Sequence, residues 1–214
     1  MKLYNLMHSP YASRVRALIR KRGLDIEIVE PSETLRTPEF VAHFPMGKIP
    51  VLELADGTQL PDSWVIMEYL DSLPGGDHLI PDVPVERAQM QVLARYTDTY
   101  LAPGGLFPLF QQVGQAANGE GVEAALAGLD AELARLERTL AMLPDFADRP
   151  IHAGDLALVS AMDFVLMLGP LFGRPDLLGD YPQAQRWYDW VQADADVAAT
   201  SEEMRTAAMA FFAG

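Results

Sequence analysis

The stretch Ser9-Pro10-Tyr11-Ala12-Ser13-Arg14-Val15-Arg16 sets how its surroundings are read. Serine followed by proline is a helix start: the hydroxyl caps a free N–H, and the fixed φ of proline suits the first helical position. Tyr11, Val15, Leu18 and Ile19 then recur at helical spacing, and Gly23 supplies a stop. Upstream, the apolar-biased run Lys2 to Met7 reads as a strand. Downstream, Ile26 to Val29 alternates as a second strand, and Pro31 to Phe44 is irregular with one helical turn expected. Ile49 to Leu54 and Gln59-Leu60 form a hairpin around Asp56-Gly57, a strong turn signal. From Ser63 the spacing of Val65, Ile66, Tyr69 and Leu70 predicts a helix to about Leu73. The order is strand, helix, strand, loop or helix, strand, strand, helix.

Pro74-Gly75-Gly76-Asp77, followed closely by Pro81 and Pro84, punctuates the chain as a linker. Everything beyond it reads as helix. Val85 to Leu101 is one element, broken by Pro103-Gly104-Gly105, and Leu106 to Ala117 continues as far as Asn118-Gly119. Glu120 to Leu143 places Leu126, Leu129, Leu133, Leu136, Leu140 and Leu143 on one face. Asp155 to Leu168 is nearly all apolar, which predicts a central buried helix; Gln183 to Val191 and Glu202 to Phe212 complete the chain.

Half of the 214 residues are apolar, ample for a real core. With no cysteine, disulfides, thiolate metal ligands and a protein-borne thiol nucleophile are excluded, and a reducing compartment fits. The N-terminus lacks the basic-then-apolar pattern of a secretory signal, and no apolar run is expected to approach the length of a membrane span, so a soluble cytoplasmic protein is expected, with no membrane partner. A net charge of −14 argues against nucleic acid. Residues 1–75 carry 8 basic and 10 acidic side chains, a balance of −2; residues 76–214 carry 8 and 20, a balance of −12. The near-neutral N-terminal part is the better host for an anionic ligand. His8, His43, His78 and His152 are scattered without acids at metal-ligand spacing, so no metal site is expected. Phosphate-loop, dinucleotide-binding and Ser-His-Asp signatures are missing as well.

Three motifs in order carry a family resemblance. They are Ser9 to Arg16 as quoted, then Gly47-Lys48-Ile49-Pro50-Val51-Leu52, then Leu60-Pro61-Asp62-Ser63 leading into Ile66-Met67-Glu68-Tyr69-Leu70. Together they resemble the N-terminal domain of cytosolic glutathione transferases, of the bacterial serine-containing type with no class assigned. The resemblance implies a thioredoxin-like domain (βαβ-ββα) over residues 1–75, a linker over 76–84 and an all-helical glutathione transferase domain over 85–214. Ala153-Gly154-Asp155-Leu156-Ala157 resembles the family's buried helix start. There a Ser or Thr three residues before the Asp usually completes a capping box, whereas here that position is His152.

The chemistry follows from the thiol of glutathione, whose pKa near about 8.5 leaves it mostly protonated at neutral pH. A hydroxyl donor at a helix N-terminus favours the thiolate through its hydrogen bond and through the helix dipole. By resemblance that hydroxyl is Ser9, at a position where relatives carry an active serine or a cysteine; on its own, Ser9-Pro10 is also an ordinary cap. Tyr4 and Tyr11 are rivals for the role. Ile49 would pair its main chain with the cysteinyl unit of glutathione, turned toward it by a cis Pro50, and Lys48 would support a carboxylate. Asp62 and Ser63 would hold the γ-glutamyl head group, the acid accepting from the ammonium and the helix N-terminus receiving the carboxylate. Asp62 stands where many members have Glu. Arg36 lies where the family often places a basic residue near the glycyl carboxylate. Tyr11, Tyr100 and Phe107 are candidates to line the electrophile pocket, with Tyr96 and Phe110 also in position.

The resemblance thus implies a transferase with glutathione as cosubstrate, a small, hydrophobic electrophile as second substrate, no metal and a homodimeric assembly. The alternative is a non-catalytic binding or regulatory protein on the same fold, since fold does not fix function. Such relatives typically lose the activating hydroxyl or the acid–serine pair, and this chain has both. Disulfide exchange through a protein thiol is excluded by the missing cysteine.

Overall fold

The computed structural model of the chain describes residues 1–114 and 119–213. Four strands, β1 (Lys2–Tyr4), β2 (Glu27–Val29), β3 (Val51–Glu53) and β4 (Gln59–Pro61), form one sheet in the order β2-β1-β3-β4. β1 is parallel to β2 and antiparallel to β3, and β3 is antiparallel to β4. The parallel pair needs a long crossover, supplied by α1 (Pro10–Lys21), whereas β3 and β4 need only a tight turn. At that turn the Thr58 N–H donates to the Asp56 carboxylate at 2.9 Å and Gly57 adopts φ +86°, a region that glycine enters freely. Leu3 and Leu52, directly opposite on β1 and β3, are fully buried. Val15 and Leu18 of α1, and Ile66, Met67 and Leu70 of α3 (Ser63–Asp71), are buried with them. This is the thioredoxin-like domain implied by the motifs.

The helical turn expected within Pro31 to Phe44 is α2 (Pro38–His43), capped by the Thr37 hydroxyl. Phe40 and Phe44 pack on Val51, joined by Tyr4, Leu35 and Ile49. Arg22 closes the opposite end of α1. Its buried guanidinium donates to the carbonyls of Leu70 and Asp71 at the end of α3 and of Leu73 and Gly75 in the segment that follows. Asp71 in turn accepts from the N–H groups of Leu79 and Ile80, so the chain as far as Ile80 is fastened to α3. Contacts divide the chain into two compact units, Met1–Ile80 with the segment from Ala199 onward, and Pro81–Ala198.

The second unit is helical in every element among the described residues, as expected. It comprises α4 (Pro84–Tyr96), a wide π-type segment Thr97–Leu106, α5 (Phe107–Phe110), α6 (Glu120–Met142), α7 (Ala153–Leu168) and α8 (Pro182–Gln192); α9 (Ala195–Ala213) follows. The expected break at Pro103-Gly104-Gly105 does not occur. Proline lacks an N–H and crowds the preceding turn, and the wider coil relieves both problems while the chain stays helical. The two glycines serve packing instead. A side chain at Gly105 would meet Leu129, and one at Gly128 of α6 would meet the Gly104 carbonyl oxygen at 2.7 Å. The helix expected over Leu106 to Ala117 is shorter, with turns from Gln111 to Gly114; residues 115–118 lie outside the described residues. On α6, Leu129, Leu133, Leu136 and Leu140 are buried as the periodicity requires, while Leu126 and Leu143 are half-buried.

α7 corrects one expectation. With the following turn it spans Ala153–Phe172, 20 residues, apolar and long enough to cross a membrane by composition alone. Of its most apolar window 78% is buried within the protein, which makes it the core helix of the second unit. A Cβ at Gly154 would collide with the Met90 carbonyl, so the approach of α7 to α4 requires glycine. The start of α7 keeps its capping box although the hydroxyl is missing. The His152 N–H donates to Asp155 Oδ2 at 3.0 Å, and the His152 ring places Nδ1 3.2 Å from the Asp155 N and 2.8 Å from Oδ2. Without a proton, Nδ1 accepts from that N–H; with one, it donates to the carboxylate. Only the unprotonated nitrogen caps the helix N–H; a protonated one exchanges that bond for an ion pair with the carboxylate.

Arg149 grips the same carboxylate with two nitrogens, at 2.6 and 3.0 Å, and the Trp187 indole donates at 3.0 Å. Burial alone would push the Asp155 carboxyl up, but His152 and Arg149 outweigh it and hold it well below the usual range. A depressed folded-state pKa stabilises the fold above the unfolded carboxyl's pKa, and that contribution fades as pH falls through the folded value. Asp155→Asn is therefore expected to lower unfolding free energy by about 3 kcal/mol at pH 7. Urea titrations should show the gap to wild type closing as pH drops below about 4.

Candidate functional site

Strand register decides which chain segments meet. Tyr4 pairs with Val51, and Val51 pairs with Pro61. β1 leaves the sheet at Tyr4, β3 enters at Val51 and β4 leaves at Pro61, so all three events fall at one end of the sheet. The Leu6 to Ser9 turn, the Ile49-Pro50 peptide and the Asp62-Ser63 corner are thereby gathered there, although 40 and 12 or more residues separate them in sequence. The three sequence motifs are one place in the fold.

Ser9 is the N-cap of α1. Its backbone is extended (φ −79°, ψ 124°), its N–H donates to the Leu6 carbonyl at 3.0 Å, and its Oγ accepts from the Ala12 N–H at 3.3 Å. The hydroxyl is thus used as an acceptor, and its proton has no partner among the described residues. A half-buried serine with an uncommitted O–H, at a helix N-terminus whose first turn holds no acid, is suited to an anion. His8, just before it, stacks on Phe211 of α9 at 4.4 Å between ring centroids, and burial pulls its pKa down, so the ring favours the neutral form.

Ile49–Pro50 is cis, as the resemblance implied. The Ile49 main chain makes no hydrogen bond among the described residues, so an edge stands open to an extended peptide. Lys48 is exposed and without an ion pair among the described residues. At the third corner Asp62, not Ser63, is the N-cap: its Oδ1 accepts from the N–H groups of Trp64 at 2.9 Å and Val65 at 3.2 Å. Ser63, buried at the first helical position, keeps its hydroxyl and N–H without a partner among the described residues. Asp62 sits at φ +77°, ψ 123°, a strained conformation for a residue with a Cβ. Strain of this kind persists where the surroundings impose it. Arg36, exposed and also at positive φ (65°), makes no ion pair among the described residues.

The rival tyrosines are placed otherwise. The Tyr4 hydroxyl donates to Glu53 Oε2 at 3.1 Å, and burial with the adjacent carboxylate pushes its pKa up. A phenol committed to a carboxylate is a poor donor to sulfur. Tyr11 carries the Arg14 guanidinium over its ring at 4.6 Å. Tyr100 is exposed and Phe107 marginally so, both in the second unit, with Arg135 4.8 Å over the Tyr100 ring. Tyr96 and Phe110 are packing residues: Tyr96 is buried and donates to the Glu132 carbonyl at 2.8 Å, and Phe110 lies 5.6 Å from the Phe164 ring. Among the described residues no group of three metal-ligating side chains converges.

Residues 3–78 match the family described as "Glutathione S-transferase, N-terminal domain". The match covers the N-terminal part of the chain, and that part is similar to the glutathione S-transferase N-terminal domain. A glutathione S-transferase of Pseudomonas putida is 28% identical over 186 residues, 86% of this chain and 84% of that protein. A glutathione S-transferase of Methylobacillus flagellatus, solved with glutathione bound, superposes with a TM-score of 0.72 at 28% identity, over 93% of this chain and 98% of the other. Glutathione transferase F7 of Populus trichocarpa shares the fold, with a TM-score of 0.78 at 22% identity over 95% and 98% of the two chains.

Arg16 and Asn5 stand behind Ser9, and the motif reading passed over both. Arg16 lies seven residues after Ser9, on the same helical face, which is the signal the sequence offered. At the Asp62 corner, Asp62→Ala removes the cap and leaves a Cβ at positive φ, and is expected to cost about 2 kcal/mol. Asp62→Asn keeps the cap and suits that backbone region better, and should cost under about 1 kcal/mol. Thermal and urea unfolding of both variants checks this.

Proposed function

We propose that this chain is a glutathione transferase that binds glutathione at the gathered end of the first sheet, ionises its thiol beside Ser9 and delivers the thiolate to a small, hydrophobic electrophile. The observation that carries the proposal is the set of unused groups converging there: the Ser9 O–H, the Ile49 main chain, and the Ser63 hydroxyl and N–H. In this reading Ile49 pairs with the cysteinyl main chain, Pro50 shapes that turn, and Lys48 supports a carboxylate. Ser63 receives the γ-glutamyl carboxylate, and the second oxygen of Asp62 accepts from the ammonium. Ser9 donates to sulfur while Ala12 holds its oxygen in place, and the α1 dipole adds to the preference for the thiolate. Much of the rate comes from forming the anion and holding it toward the second substrate. Tyr11, Tyr100 and Phe107 remain the candidates for contact with that substrate. The retained hydroxyl and acid–serine pair favour an enzyme over a non-catalytic binding protein.

Calorimetric titration with glutathione and conjugation of a chlorodinitrobenzene test the proposal. Ser9→Ala is expected to keep glutathione affinity within a few-fold and to lose about 100-fold in kcat/KM at pH 6.5, the scale of removing one donor from a developing anion. The deficit should shrink as pH approaches the free-thiol value of about 8.5. Unchanged turnover would remove Ser9 from the role, and wild-type protein that fails to bind glutathione would remove the proposal.

The assembly belongs to the same proposal. A homodimer of the 23.6 kDa chain should elute near twice that mass with light-scattering detection, and a monomeric mass would contradict it.

A further inference from the structure

Behind the Ser9 turn lies a buried cation. Arg16 is almost wholly enclosed, yet the two ends of its guanidinium fork reach back to the chain that leads into the helix. Nη1 donates to Asn5 Oδ1 at 2.6 Å and Nη2 donates to the Met7 carbonyl at 2.9 Å. The Asn5 amide donates to Met7 Sδ at 3.3 Å, and the Asn5 N–H donates to the Val29 carbonyl at 2.9 Å, which anchors that residue to β2. A turn between strand and helix would normally expose its carbonyls to water. This one is tied from beneath to the helix that it starts.

A guanidinium suits the task because its donors are fixed in one plane and can bridge two acceptors at once. A lysine ammonium in the same space reaches one acceptor well and leaves the other buried and unmet. The third nitrogen, Nε, has no hydrogen-bond partner among the described residues, and Glu203 Oε2 of α9 lies 4.0 Å from it. Glu203 also holds Arg20 at 2.6 Å, and Arg20 donates to the Thr200 hydroxyl. Burial pushes the Arg16 pKa down, Glu203 favours its cationic form and Arg20 opposes it; its own charge is felt at the His8 ring.

We infer that Arg16 is a positioning residue for the Ser9 hydroxyl, fixing the Asn5 to Ser9 turn through Asn5 and the Met7 carbonyl, with Glu203 of the C-terminal helix as its counter-ion. The inference rests on the proposed thiol chemistry for its effect on rate, but the clamp itself is independent of it. Loss of the fork frees the turn, the Ser9 O–H drifts from the sulfur, and the thiol pKa returns toward its free value. Groups that hold the rest of glutathione, on Ile49 and Ser63, are untouched.

Arg16→Lys, which keeps the charge and removes the fork, is the test, with Glu203→Gln as a milder variant that leaves the buried fork in place. Hydrogen exchange on peptides spanning residues 5–13 should quicken in Arg16→Lys while peptides of α3 and α7 keep their protection. Glutathione affinity should stay within about threefold while kcat for a chlorodinitrobenzene falls about 10-fold at pH 6.5, the scale of a small misplacement of a catalytic group. The deficit should narrow toward pH 9. Glu203→Gln should shift exchange and rate in the same direction by about twofold to threefold, a fraction of a buried charge's hydrogen bond. Unchanged exchange over residues 5–13 in a folded Arg16→Lys overturns the clamp. Quickened exchange with a pH–rate profile superimposable on wild type overturns the positioning role. If Arg16→Lys does not fold, unchanged exchange and profile in Glu203→Gln overturn the inference. Wild type that binds no glutathione sinks the proposed function alone, and the exchange result still decides the clamp.

Discussion

The pairing of Tyr4 with Val51 and of Val51 with Pro61 is the constraint on which the site depends. Side chains alternate along a strand with a period of two, so a slip of one residue would turn Leu3 or Leu52 out of the core. The fully buried Leu3–Leu52 pair thus fixes more than stability: it sets where β1, β3 and β4 end relative to one another. Three loops far apart in sequence then face the same solvent because three strands stop at the same level. A core contact made of hydrocarbon in this way determines the placement of polar groups that it never touches.

At each of those strand ends the local hydrogen bonding is divided between holding the turn and leaving something over. Ser9 uses its oxygen for Ala12 and keeps its proton. Asp62 spends one carboxylate oxygen on two helix N–H groups, which releases Ser63 from the capping role that its type and position would otherwise give it. The φ of +77° at Asp62 is what lets this division be made, since it points the acid back over its own helix while the chain turns into α3. A backbone that costs energy to hold is reasonable where relaxed geometry would use up the groups the proposed ligand needs.

Most of this was legible in the sequence because it rests on local chemistry. Ser-Pro starts a helix, Asp-Gly makes a hairpin, and a proline where a strand begins marks an unusual peptide; each appears where expected. What resisted reading depended on partners distant in sequence. Pro103-Gly104-Gly105 looks like a break, yet a helix persists there because α6 offers Gly128 opposite and the coil can widen. His152 looks like a lost cap, yet an imidazole nitrogen occupies the place of a hydroxyl oxygen. The apolar length of α7 matches a membrane span, and only its burial shows what the apolar surface is for. Arg16 lies inside the first motif, but its partners Asn5, Met7 and Glu203 all lie outside it.

The absence of cysteine from the whole sequence bears on why a serine at position 9 matters. A thiol there could donate to a bound thiolate, but once ionised it could also attack an electrophile or a disulfide itself, in competition with transfer from glutathione. In the proposed mechanism a hydroxyl removes that branch: it accepts from the Ala12 N–H and donates toward sulfur without attacking. Under that proposal thiolate formation depends on where the O–H points, because a serine has no ionisation of its own near neutral pH to contribute. An enzyme working as proposed, by direction in place of reactivity, needs a rigid turn, and the buried fork of Arg16 ties the Asn5 and Met7 ends of that turn to α1. That requirement links the hydrocarbon pairing of Leu3 with Leu52, the guanidinium of Arg16 and the hydroxyl of Ser9 as successive conditions on a single vector.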